Sequence, residues 1–477
     1  MWSVEFTDVP FEADVRELMM AFYPEIRDTD KASPSVSCKG HRENDNYILE
    51  IVFPDGEYSR FSSRILANRF DTKCEIKRRV YTALSEHEGY ELPWGTLTGI
   101  RPTKLMLNGL EAGYEKEELE ASFRKDYFTS DKKTELCYDI AEREYNVLRD
   151  INYKKGWSLY VGIPFCPTRC LYCSFTAYPV GLWADRKSLY IESLKKEIHA
   201  VSERMKTSGL ELQTVYMGGG TPTSLEAEEL EELLNCIIGC NDMSRVREFT
   251  VEAGRPDSIT AEKLKVMKNA GVGRISINPQ TMNQKTLDII GRRHTVDEVR
   301  EKFLLARSAG FENINMDIII GLPGETAAEV EQTMAALREL GPDDITVHSL
   351  ALKRAARLNE EKYRYDYASP DEISRMARIA EKTCLDMNLT PYYLYRQKNM
   401  AGNFENVGYC RKGCEGVYNI LIMEEKQPII GCGAGTTTRL PVKEGGVFRI
   451  ENVKDPQVYI DRIDETIARK RDMELWH

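Results

Sequence analysis

From about residue 158 the chain alternates between short runs rich in β-branched and aromatic residues and longer segments with apolar positions every three to four residues. The first pattern predicts strands and the second amphipathic helices. Expected strands are Ser158–Ile163, Gln213–Met217, Glu248–Glu252, Gly273–Ile277, Asn315–Ile320 and Asp344–Ser349. Helical segments follow them over 184–205, 226–238, 261–269, 283–290 with 296–309, and 327–340. Six strand-then-helix repeats predict a parallel sheet with outer helices. A closed barrel takes eight such units in ~250 residues, so the expected fold is α/β, a partial (β/α)6 barrel open on one side. In such folds the chemistry gathers at the C-terminal ends of the strands.

The flanks read differently. In residues 1–155, Tyr47–Phe53 alternates as a strand, Pro54-Asp55-Gly56 is a turn, and Glu57–Phe61 pairs back as a hairpin. Helices are expected near 62–86, 115–125 and 130–150, with a Gly- and Pro-bearing loop over 93–102. This is an N-terminal α+β domain of unknown role. The tail, 356–477, carries helices over 371–388 and 456–472 around Gly-rich strands and loops, an α+β extension expected to cover a substrate. The expected domains are therefore 1–155, 156–355 and 356–477.

Composition narrows the class. Acidic residues outnumber basic ones, 76 to 65, for a formal charge of −11. A net acidic chain disfavours broad nucleic-acid or anionic-membrane binding, so an anionic substrate must meet a local basic patch. The N-terminus lacks a basic segment followed by an apolar one, so no signal peptide is expected. No apolar run approaches the ~18 residues of a membrane span. The cytoplasm is the expected location and a monomer the expected state. The six histidines show no zinc-like spacing. Of the twelve cysteines, most are scattered and read as small buried apolar residues. Two groups stand out: Cys166/Cys170/Cys173, and Cys410/Cys414 with Cys432 downstream. The second group reads either as ordinary thiols or as a C-x3-C pair able to bind a further metal.

The first group opens where the first expected strand ends, in Tyr160-Val-Gly-Ile-Pro-Phe-Cys166-Pro-Thr-Arg-Cys170-Leu-Tyr-Cys173-Ser-Phe175. Three thiolates on one short loop can bind three irons of a [4Fe–4S] cubane and leave the fourth iron open. S-adenosylmethionine (SAM) can chelate that iron through its amino and carboxylate groups. Reductive cleavage then yields methionine and a 5′-deoxyadenosyl radical. A structural zinc site prefers paired C-x2-C units and four ligands, which this loop lacks.

Later motifs fall at the other strand ends. Gly218-Gly219-Gly220-Thr221-Pro222-Thr223 follows the second strand and offers backbone groups to the amino-acid part of SAM. Glu252 ends the third strand, Gln280 follows the fourth, and Arg292 lies in Gly291-Arg292-Arg293-His294. Asp317 sits inside the fifth strand, where a carboxylate is costly to bury unpaired, and Arg292 is a possible partner.

Together these motifs closely resemble the oxygen-independent coproporphyrinogen III oxidase group of radical SAM proteins, and the whole chain looks most like its HemZ-type branch. The resemblance implies one SAM touching Tyr160, Gly219 and Glu252. It implies a second SAM touching Tyr172, Gly220, Thr221, Gln280, Arg292, Asp317 and Ala351. Phe175, two residues past the third cysteine, stands where oxidases of the group carry another Cys; related haem chaperones share the Phe. A further Gly162 replaces a His of the group, and Glu405–Tyr409 has no counterpart of the chaperones' haem-binding His. The implied substrate is a tetrapyrrole. The implied reaction is oxidative decarboxylation of two coproporphyrinogen III propionates to vinyl groups, with an electron donor such as flavodoxin or ferredoxin. Haem chaperoning, and radical chemistry on haem itself, remain alternatives. Candidate cations for substrate carboxylates are Lys353, Arg354, Arg357, Arg396, Lys398, Arg411 and Lys412.

Overall fold

The computed structural model describes residues 2–23, 36–99, 101–175, 177–351, 356–396, 405–442 and 445–475, with the Lys362 side chain excluded. Contacts divide the chain into two units. One is Met1–Tyr145 with Arg396–Asn403; the other is Asn146–Tyr395 with Phe404–His477. The expected boundary at 355/356 falls inside the second unit.

The first unit carries strands β1 (Ser3–Thr7), β2 (Ser37–Glu43), β3 (Asn46–Val52) and β4 (Tyr58–Arg64). They form one sheet in that order, with β1/β2 parallel and the rest antiparallel. The expected hairpin is β3–β4. Its helices are α1 (Glu12–Phe22), α2 (Arg69–Glu88), α3 (Thr103–Glu111), α4 (Lys116–Tyr127) and the start of α5 (Asp131–Leu148). The expected 62–86 helix starts only at Arg69, because Ser62–Arg64 still pair in β4 and Asn68 caps the helix by accepting from the Asp71 amide at 2.7 Å. Leu18, Met19, Leu49, Ile51, Ile76, Val80 and Leu84 fill the core between sheet and helices.

In the second unit the strands are β5 (Gly156–Ile163), the short pair β6 (Phe165–Cys166) and β7 (Tyr178–Pro179), β8 (Glu211–Gly219), β9 (Glu248–Glu252), β10 (Arg274–Ser276), β11 (Asn313–Ile320), β12 (Asp344–Ser349), β13 (Thr390–Arg396), β14 (Glu405–Cys410), β15 (Ile429–Cys432), β16 (Thr437–Pro441) and β17 (Val447–Glu451). The helices are α6 (Lys187–Thr207), α7 (Ala227–Cys240), α8 (Ala261–Asn269), α9 (Gln284–Ile289), α10 (Val296–Ser308), α11 (Ala327–Leu340), α12 (Arg357–Glu360), α13 (Pro370–Asp386), α14 (Val417–Glu424), α15 (Pro456–Asp461) and α16 (Ile463–Arg471).

The six expected strands are β5, β8, β9, β10, β11 and β12. They lie side by side in that order, all parallel. The sheet does not close, so the fold is a partial barrel. Capping boxes start the connecting helices: Glu226/Glu229 for α7, Thr295/Glu298 for α10 and Thr326/Glu329 for α11. The tail extends the same sheet at both edges. β14 runs antiparallel along β12, and β15 runs parallel along β5 and leads to β16 and β17.

The strands alternate in chemistry. Leu159, Val161, Val215, Met217, Phe249, Val251, Ile275, Met316, Ile318, Ile345 and Val347 are buried on one face. The alternate positions carry Ser158, Tyr160, Thr214, Tyr216, Glu248, Glu252, Arg274, Asn315, Asp317, Thr346 and His348. Cross-strand bonds place this second set together on the inner face: Thr214 donates to Ser158 at 2.7 Å and Thr346 to Asn315 at 3.1 Å. Arg274 pairs with Asp344 at 2.6 Å, and Tyr392 also donates to Asp344, at 2.8 Å. These pairs offset the desolvation of the groups they join.

Candidate functional site

The cysteine loop leaves β5 and is held from several sides. The Leu171 amide donates to the Ile290 carbonyl at 2.9 Å, and its own carbonyl accepts from the Leu358 amide at 2.9 Å. Leu171 packs with Leu287, Ile290, Ile319, Leu322, Leu350 and Leu358. Cys166 and Cys170 are buried and Cys173 is half-buried. The Cys166 sulfur lies 3.3 Å from the Thr221 hydroxyl. Burial pushes the Cys166 thiol up to about 11, with Cys173 and Cys170 adding to the rise and Thr221 opposing it.

Two arginines back the loop. Arg255, 3% exposed, grips Asp257 with two bonds of 3.0 and 2.7 Å. It donates to the Thr168 carbonyl at 3.2 Å and reaches the Cys170 sulfur at 3.5 Å. Arg292 donates to the Asn278 carbonyl and, at 3.4 Å, to the Gly254 carbonyl, and it also bonds Tyr172 and Cys170. It does not pair with Asp317, the partner expected from sequence. Asp317 instead accepts from Asn315 at 2.8 Å and lies 3.8 Å from His348. Burial raises the Asp317 carboxyl, but His348 and these bonds outweigh it and hold the group below its usual range.

The glycine run sits against the same loop. Gly219 has φ +109, and a Cβ there would stand 2.9 Å from the Ile163 carbonyl oxygen. A Cβ on Gly220 would stand 2.5 Å from the Phe165 oxygen. Only glycine allows this approach, which lets the Gly220 and Thr221 amides bond the Ile163 and Phe165 carbonyls at 2.6 and 2.7 Å. Glu252 lies beside them. It accepts from the Tyr216 hydroxyl at 2.7 Å and from the Gly219 amide. Burial pushes its carboxyl up to about 7, helped by the charge of Asp317 and opposed by the Tyr216 bond. Tyr160, Tyr216 and Tyr418 cluster with nearly parallel rings, Tyr160 6.1 Å from each of the other two and those two 4.5 Å apart.

Gln280 sits in left-handed backbone, φ +67, bridged to β11 by bonds to the Asp317 carbonyl at 3.0 Å and from the Ile319 amide at 2.9 Å. Its side-chain oxygen and Arg292 Nε are buried without a partner among the described residues. Two buried arginines beside three thiols suit an anionic cluster; a glycine cradle, a carboxylate and two unsatisfied polar atoms suit a polar zwitterion. The residues present therefore fit an iron–sulfur cluster and SAM.

The other expectations sort as follows. Tyr172 lies in the loop itself, and Ala351 is half-buried two residues past β12. Phe175 is 63% exposed. Lys353, Arg354 and Lys398 lie outside the described residues. Arg357 is exposed and paired with Glu361 at 3.3 Å. Arg396 is buried, donates to the Leu97 carbonyl in the first unit, and is not a free cation. Cys410 is opposite Asp344, at the start of β12, so Cys410, Arg411, Lys412 and Cys414 lie at the N-terminal end of the parallel strands. That is the end away from the cysteine loop, which corrects the expectation that Arg411 and Lys412 meet substrate carboxylates. Cys432 pairs with Val161 across β15/β5, on the face opposite Tyr160 and apart from Cys410.

Several residues escaped the sequence reading: Tyr216, Tyr418, Arg255, Asn278 and His348. Tyr216 was findable, since strand alternation puts it in phase with Gly218 and Glu252's neighbours. Tyr418 arrives from a helix in the tail, and nothing local signals it.

The model of the "Radical SAM superfamily" matches residues 160–337. The chain is 44% identical over 390 residues to the oxygen-independent coproporphyrinogen-III oxidase-like protein HemZ of Bacillus subtilis, covering 81% of this chain and 78% of that protein. It is 33% identical over 310 residues to the heme chaperone HemW of Bacillus subtilis, covering 65% and 76% respectively. Among solved structures, coproporphyrinogen III oxidase (HemN) of Escherichia coli, a radical SAM enzyme, superposes with a TM-score of 0.54 at 20% identity over 66% of this chain and 70% of that one. The last match concerns the fold alone.

Proposed function

The chain belongs to the radical SAM superfamily, in the oxygen-independent coproporphyrinogen-III oxidase-like group with HemZ, and from that premise we propose that it oxidatively decarboxylates propionate side chains of a coproporphyrinogen-type tetrapyrrole to vinyl groups. Its cofactors are a [4Fe–4S] cluster and SAM. When bound, they supply a carbon-centred radical that removes hydrogen from the propionate β-carbon. Loss of CO2 and of one electron to an external acceptor then leaves the vinyl group.

In this reading Cys166, Cys170 and Cys173 hold the cluster. Arg255 keeps the loop in register and directs an N–H toward the Cys170 sulfur, a contact that tunes an iron–sulfur site. Gly219 and Glu252 receive the amino group of one SAM, with Tyr160 alongside. Tyr172, Gly220, Thr221, Gln280, Arg292, Asp317 and Ala351 form a second, adjoining polar rim for a second SAM. The tail, through Tyr418 and the added edge strands, would exclude water from the inner face.

The observation that carries the reading is the cradle beside the thiols: Gly219 pressed on Ile163 with its amide on Glu252. The cradle supports SAM binding, and the 44% identity to HemZ favours turnover of the tetrapyrrole. The test is anaerobic incubation of the reconstituted protein with SAM, reduced flavodoxin or ferredoxin, and coproporphyrinogen III. Protoporphyrinogen, read by chromatography after oxidation, is the expected product. The 33% identity to a heme chaperone supports a second reading, haem delivery. No product together with tight haem binding would select that reading, and a linear tetrapyrrole made from haem would point to ring opening.

A further inference from the structure

A second thiol cluster lies outside the site described above, on the helices that cover the barrel. Cys236 and Cys240 are one turn apart on α7, so both sulfurs leave the same face of the helix. Their sulfurs are 4.0 Å apart. His199, on the neighbouring α6, brings its ring to them: the Cys240 sulfur is 3.2 Å from Nδ1 and 3.7 Å from Nε2. One ligand atom from each of the three residues lies within 4.8 Å of the other two. Both cysteines are half-buried and His199 is exposed, so the group is open to solvent on one side.

The distances match a tetrahedral soft-metal site. Zinc lies ~2.3 Å from sulfur and ~2.0–2.1 Å from imidazole nitrogen, which sets sulfur–sulfur and sulfur–nitrogen spacings of about 3.8 and 3.6 Å. The Cys236–Cys240 and Cys240–His199 spacings differ from these by a few tenths of an ångström, the His199–Cys236 spacing lies within 4.8 Å, and the exposed His199 ring would turn to aim one nitrogen at the ion. A disulfide would require the sulfurs to close to ~2.05 Å from the two ends of a helical turn, a larger change. Two thiolates and a neutral imidazole also balance the charge of a divalent ion.

We propose that His199, Cys236 and Cys240 bind a zinc ion, with water or an outside ligand in the fourth position, and that the ion staples α6 to α7. Thiolate ligands select zinc and its soft relatives over magnesium or calcium. The sequence conceals the site because His199 stands 41 residues before Cys240 and only helix packing brings them together.

The test uses full-length protein whose iron–sulfur cluster has been reconstituted and whose iron has been counted. The protein is dialysed against zinc chloride, freed of loose metal, and assayed for zinc and iron together. About one zinc per chain is expected, with an X-ray absorption signature of two sulfurs and lighter ligands. C236S, C240S and H199A are expected to lose the zinc and keep full iron content, which also shows that they fold. H199C is expected to restore zinc with a three-sulfur signature. The proposal is overturned if the wild type takes up no zinc at full iron content, if the three variants retain it, or if zinc is lost only when Cys166, Cys170 or Cys173 is replaced.

Discussion

Replacing Gly219 with alanine tests the cradle at its narrowest point. The residue has φ +109, a region that L-residues rarely adopt, and the new Cβ would meet the Ile163 oxygen at 2.9 Å and the Ile163 nitrogen at 3.1 Å. Both contacts are backbone in the last residue of β5, which is pinned to β8 by the parallel ladder and cannot yield as a side chain would. Strained backbone costs about 1–3 kcal/mol. Crowding in a packed region adds about 1–3 kcal/mol. The sum is about 2–6 kcal/mol, which for a unit of this size lowers Tm by roughly 3–9 °C. Anaerobic calorimetry of the cluster-loaded protein gives the melting shift, and titration with SAM gives the affinity. We expect both to fall, with SAM binding weakened at least tenfold because the strand end beside Glu252 is displaced. Gly181→Ala is the control, since a Cβ there meets nothing within 4 Å. A Gly219→Ala protein that melts within a degree of the wild type and binds SAM as tightly would refute the argument that this glycine shapes the cofactor seat.

Glu252 should make SAM affinity depend on pH. Burial raises its folded pKa to about 7, so the proton is held below that pH and folding is favoured most below the ordinary carboxylate range, declining as pH rises toward 7. The N–H of the SAM amino group bonds an ionised carboxylate more strongly than a neutral one, so SAM should bind more weakly as pH falls from 8 to 6, and Glu252→Gln should flatten that profile; a slope surviving in Glu252→Gln sinks the assignment. Asp344→Asn leaves Arg274 buried and uncompensated, and should cost about 3–5 kcal/mol in urea unfolding, with less than 1 counting against the role of the pair. Cys166→Ala, Cys170→Ala and Cys173→Ala should each reduce iron well below about four per chain after reconstitution, while Cys410→Ser and Cys414→Ser should not. Equal iron in all five would remove the cluster from this loop.

Much of the site was legible because its parts are local. Three thiols on one loop, a glycine run at the end of a strand, and a carboxylate ending a strand are each visible within about ten residues. The strand alternation then places them at the same end of a parallel sheet, since every strand of a βα repeat points the same way. The register, however, is invisible in any one strand. That Tyr160 lies level with Tyr216, so that Tyr216 reaches Glu252, follows from the β5/β8 and β8/β9 ladders. Arg292 was expected on Asp317, but it turns instead to the carbonyls of Gly254 and Asn278, because His348 and Asn315 already satisfy the carboxylate.

What the chain by itself determined was the repeating frame, the loop that carries the thiols and the residue types placed at strand ends. These depend on hydrophobic period, turn chemistry and spacing, all short-range properties of a chain. The tertiary structure alone decided which distant segments meet. The tail's Ile429–Cys432 became a strand beside β5, Tyr418 joined the stacked tyrosines, and Cys410 and Cys414 went to the far end of the barrel. Arg255 found Cys170, and His199 found Cys236 and Cys240, through packing of segments far apart in sequence. Such meetings are settled by sheet pairing and helix packing summed over the whole core, and no local pattern encodes that sum. The three cysteines of the first loop could therefore be read from sequence, whereas the arginine behind them and the second thiol cluster could not.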